Sequence, residues 1–125
     1  MNLSLSFIPR MKQGNMHRVY VDISLLGIGT AYGRVSGSID VRTIPQIGDQ
    51  LSFSVLKYGD LPAEIGKIPY ILRVTDRIIA ANADDEVLLS LEDIVAETDA
   101  RARLIMAFFE ECHGLCAEPV IHSPP

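Results

Sequence analysis

The sequence predicts an α+β protein that is mainly β: a small antiparallel β-barrel or rolled sheet of about five or six strands with one C-terminal amphipathic helix. Three observations carry that prediction. Apolar and polar residues alternate in several short runs. Glycine, asparagine, aspartate and proline punctuate those runs, and helical spacing occurs once, near the C-terminus.

The elements follow in order. Leu3-Ser-Leu-Ser-Phe7 has the period of a half-buried strand, and Gly14-Asn15 supplies turn chemistry. Val19, Val21, Ile23 and Leu25 alternate with Arg18, Tyr20, Asp22 and Ser24, the clearest strand of the chain. Beyond the glycines of Gly27–Gly33, Val35, Ile39, Val41 and Thr43 share one parity. Pro45 has no N–H for a ladder, so it ends that strand or puts it on an edge. Ile47-Gly48-Asp49 turns the chain into Leu51, Phe53 and Val55. Tyr70, Leu72 and Val74 mark the next strand, and Val87, Leu89 and Leu91 the last, with Ala81–Asp85 turning between them.

The helix is expected near 98–112. Thr98 or Asp99 can cap it, Glu97 and Asp99 suit the positive end of its dipole, and Gly114 is a natural stop. Leu104, Ile105, Phe108, Phe109 and Cys112 recur at helical spacing. Residues 1–113 thus read as one domain, and 114–125 as a flexible tail.

Charge narrows the function classes. The net charge of −5 divides unevenly: residues 1–58 carry +3 and residues 59–125 carry −8. An acidic chain without a basic stripe makes few phosphate contacts, so nucleic acid is disfavoured as a partner. No apolar run approaches the roughly 20 residues of a membrane helix. In MNLSLSFIPRMK the positive charges follow the apolar run, unlike a secretory signal, so the expected compartment is the cytoplasm. The acidic half suits a basic protein partner, because complementary charge orients docking. Tyr58, Asp60 and Glu64 in the long irregular segment Lys57–Pro69, with Asp84 and Asp85, are the candidate contacts.

Gly27-Ile-Gly29-Thr-Ala-Tyr-Gly33 superficially suggests a phosphate loop. A dinucleotide fingerprint needs a helix opening behind its glycines, and here the following segment reads as strand. Asp22-Ile-Ser24-Leu-Leu-Gly27 fits D-x-S-x-x-G, and in this the chain resembles the PilZ domains, small β-barrels that respond to cyclic di-GMP. The resemblance implies that Asp22 and Ser24 would face a guanine base. PilZ receptors also carry an R-x-x-x-R clamp, whereas Arg10 and Arg18 are eight apart. Without that fork the main charge-assisted contact to the ligand is missing, which disfavours cyclic di-GMP itself. The resemblance therefore implies an adaptor that has lost nucleotide binding. Arg18, Asp22, Ser24 and Gly27 are the candidate ligand-binding residues.

Cys112, Cys116 and His122 are weak candidates for a metal, because structural zinc favours two separated ligand pairs. Cys112 is expected to pack against the sheet and Cys116 to be a free thiol. No facing carboxylates or Cys–His dyad with an orienting third group can be assembled from the spacing. The expectation is a non-catalytic, cofactor-free binding module acting by protein–protein contact. A toxin-neutralising immunity-type protein and a small-ligand receptor for a cyclic dinucleotide or anion are the alternatives.

Overall fold

The computed structural model describes residues 16–53, 71–81 and 87–120. Within them run strands β1 (His17–Gly27), β2 (Thr30–Val41), β3 (Gln50–Ser52), β4 (Ile71–Ile79), β5 (Val87–Leu91) and β6 (Ile94–Val95). Helix α1 (Asp99–His113) and strand β7 (Cys116–Pro119) follow. The fold is α+β and mainly β. The expected strand at Leu3–Phe7 and the segment Lys57–Pro69 lie outside the described residues.

The alternation in β1 is realised in full: Val19, Val21, Ile23 and Leu25 are entirely buried, while their neighbours face the other side of the sheet. β1 is the central strand. It pairs antiparallel with β2 through a two-residue corner at Ile28-Gly29, where Gly29 takes φ +70°. A side chain is disfavoured in that conformation.

Two features differ from the expectation. The sheet has seven strands in the order β3-β4-β5-β1-β2-β7, with β6 also on β1, and it is open, the rolled alternative to a closed barrel. It is also mixed, because β5 and β6 run parallel to β1. The cause is the segment from Arg42 to Asp49, which carries the chain from β2 across to the far edge. Ile44 packs against the core on the way and Pro45 is buried.

The inner face rolls over α1. Ala102, Ile105, Met106, Phe108 and Phe109 are buried there. Leu104 and Cys112, expected on the buried stripe, are half-buried. Phe53, just beyond edge strand β3, stacks edge-on against Phe109 with ring centres 5.3 Å apart. His113 Nε2 lies 2.7 Å from the Phe53 carbonyl oxygen. At the other edge, Leu115 is buried and β7 lies on β2. Both edges of the sheet therefore reach the same helix.

The Thr98 hydroxyl caps α1 by accepting from Arg101 N at 3.1 Å. Gly114 at φ +68° ends it, with Leu115 N–H donating back to the Phe109 carbonyl. Asp99 and Arg103 form the i,i+4 pair at 2.8 Å. The expected tail begins differently from its prediction: Cys116–Pro119 is a strand, not loose chain. Gly33 permits it, since a Cβ there would stand 2.7 Å from the Glu118 carbonyl. No helix among the described residues is long and apolar enough to cross a membrane.

Candidate functional site

The polar half of the β1 alternation, carried across the sheet by its register, builds the site. On the outer face Asp76, Ser90, Asp22, Ser36 and Cys116 form one row through β4, β5, β1, β2 and β7. Ile78, Leu88, Tyr20 and Ser38 form the row on one side of it. Ser24, Arg34 and Glu118 form the row on the other. Ile78 reaches this face because β4 bulges between Val74 and Asp76, which reverses the parity of the strand beyond.

Asp22, Tyr20, Arg34, Ser36, Leu88 and Ser90 line a recess of 210 Å³. Oδ1 of Asp22 is buried and accepts no hydrogen bond. Its Oδ2 lies 3.8 Å from Arg34 Nη1, a loose ion pair. Arg34 gives its close bond to Glu118 instead, with Nε 3.2 Å from Oε1. That hydrogen bond, then the Glu118 charge and the Asp22 charge, hold the guanidinium above its ordinary pKa. The Tyr20 hydroxyl donates to Ser36 Oγ at 3.2 Å and closes one side of the recess.

The chemistry on offer is acceptance. A buried carboxylate oxygen without a partner is costly, and an N–H donor entering the recess would relieve it. The recess is smaller than the roughly 300–1,000 Å³ that encloses a drug-sized molecule, so it suits one donor group. Its described lining residues include no imidazole or thiol; the Cys116 thiol, next to Ser36 in the row, is not among them.

The sequence candidates fare differently. Asp22 is in the recess; Arg18 and Ser24 are on the same face but not in its lining. Arg18 is exposed and pairs with Asp40, Nε to Oδ1 at 3.4 Å. Gly27 has a packing role: a Cβ there would stand 2.6 Å from Cε2 of Tyr32, whose ring lies against the core. Tyr58, Asp60, Glu64, Asp84, Asp85 and His122 lie outside the described residues. Cys112 packs against the core, Cys116 is exposed, and no disulfide joins them. Among the described residues no group of three potential ligands could hold a metal ion. Sequence reasoning missed Tyr20, Arg34, Ser36, Leu88 and Ser90 as lining. Their outer-face parity in strands adjoining β1 was the available signal, but the register needed to use it comes only from the fold.

Comparison with family models, with curated proteins and with solved structures gives no match.

Proposed function

We propose that the chain is a non-catalytic binding module that acts by contact with a protein partner, and that the outer sheet face at Asp22 is the contact. The observation that carries this reading is the buried, unbonded Oδ1 of Asp22 in a recess sized for one donor group. A lysine or arginine side chain of the partner is the natural occupant. Its methylenes would lie along the apolar rim of Ile78 and Leu88, and its charge would meet Asp22 with Asp76 nearby in the same row. This agrees with the acidic balance of the chain, which favours a basic partner. A PilZ-like adaptor, in which Asp22 and Ser24 persist while the nucleotide is no longer bound, is one form of the proposal. An immunity-type protein facing a basic toxin surface is another.

The second reading, a small-ligand receptor, draws on the same oxygen: a guanine edge also presents N–H donors. Calorimetric titration separates the two. The proposal expects heats from a basic peptide carrying one arginine between apolar residues, reduced by Asp22→Asn, and none from cyclic di-GMP. Heats from cyclic di-GMP that Asp22→Ala abolishes would replace the adaptor reading with the receptor.

A further inference from the structure

We propose that a second hollow, at the end of the sheet where β1 and β5 begin and β4 ends, binds an organic anion, a carboxylate or phosphate on an apolar body, with Arg77 as its charge partner. The hollow has a volume of 720 Å³, within the range that encloses a whole small molecule. Val19, Ile44, Ile79 and Val87 supply apolar wall, and no carboxylate side chain is among its described lining residues.

Arg77 is placed there by the bulge in β4. Without the extra residue at Thr75 it would point to the outer face. With it, Arg77 stands opposite Leu89 on the core-facing side. Its Nε is buried and has no hydrogen-bond partner, and it forms no ion pair among the described residues. A guanidinium cannot shed its proton to escape the cost of burial, and no described residue supplies an acceptor, so the acceptor oxygens of a bound anion would relieve it. Arg18 at the rim, engaged by Asp40 only at 3.4 Å and largely exposed, adds positive charge at the entrance. The hollow shares Tyr20 with the Asp22 recess but differs in chemistry: the recess offers an acceptor where this one offers a donor.

The test uses the full chain and four probes sharing one tail: octanoate, octyl phosphate, octanol and octylammonium. Binding is followed by ¹⁵N NMR, including the side-chain Nε–H resonance of Arg77. Octanoate or octyl phosphate should move that resonance together with the amides of Val19, Ile79 and Val87. Octanol and octylammonium should bind at least about tenfold more weakly, as loss of a charge-assisted bond implies. Whichever anion binds more tightly identifies the headgroup. Arg77→Gln should weaken the anions by a similar factor and leave the alcohol unchanged. Equal binding of all four probes, or an Arg77 resonance that stays still, overturns the proposal, and the probe comparison needs no variant to fold.

Discussion

Arg34 reaches across the β1–β2 pair toward Asp22 but stops at 3.8 Å, Nη1 to Oδ2, because Glu118 on β7 holds the same guanidinium through Nε at 3.2 Å. Two carboxylates thus compete for one cation, and β7, in the segment expected to be a tail, supplies the winner. The other oxygen of Asp22 is left buried and unbonded. The affinity proposed for this face comes from that division.

Removing the charge at the recess should leave the fold nearly untouched. Asp22→Asn keeps the shape, and the ion pair it deletes is loose and partly exposed, at 36% for the Asp22 side chain. We expect a stability change below about 1 kcal/mol in urea denaturation, as for other surface pairs. A larger loss would make Asp22 a structural residue.

Glu118→Gln tests the competition from the other side. With Glu118 neutral, Arg34 is released toward Asp22, and binding of a cationic peptide should weaken although Glu118 does not line the recess. Stability should again change by less than about 1 kcal/mol. Unchanged peptide affinity would mean that Arg34 does not gate the site.

The helix end is a different matter. His113 bonds the Phe53 carbonyl and stacks on Phe53 at 5.2 Å and Phe108 at 5.6 Å. His113→Ala strips the partner from that carbonyl and opens space beside the rings, a loss of roughly 1–3 kcal/mol in denaturant melts. Thr98→Ala at the opposite end removes only the cap and should cost about 1 kcal/mol.

Gly33→Ala places a methyl against the β7 backbone, and overpacking of this kind costs about 1–3 kcal/mol. Hydrogen exchange should show the amides of Cys116, Ala117 and Glu118 losing protection before those of β1. Uniform loss across the sheet would contradict the edge role given to β7.

How much of this was legible in the sequence depended on how local each cause is. The β1 alternation and the helix α1 with its caps Thr98 and Gly114 depend on neighbours in the chain, and both are readable. The parallel β1–β5 pairing depends on where residues 42–49 carry the chain, which no periodicity records. The β4 bulge was hidden in Val74-Thr-Asp-Arg77, where a single extra residue moves Arg77 inward and Ile78 outward. β7 is four residues long and contains a proline, too little for a pattern to register. In the site, Asp22 stood out from its alternation and its D-x-S-x-x-G setting, and Arg34 and Ser36 did not, because only the register brings them to its side.

The most direct test of the Asp22 proposal is a ¹⁵N NMR titration of the full chain with N-acetyl-arginine amide, run beside its glutamate counterpart. The account predicts shifts at Tyr20, Asp22, Ser36 and Ser90 with the arginine probe alone, and their disappearance in Asp22→Asn. Equal shifts from both probes, or shifts that survive the substitution, would contradict it.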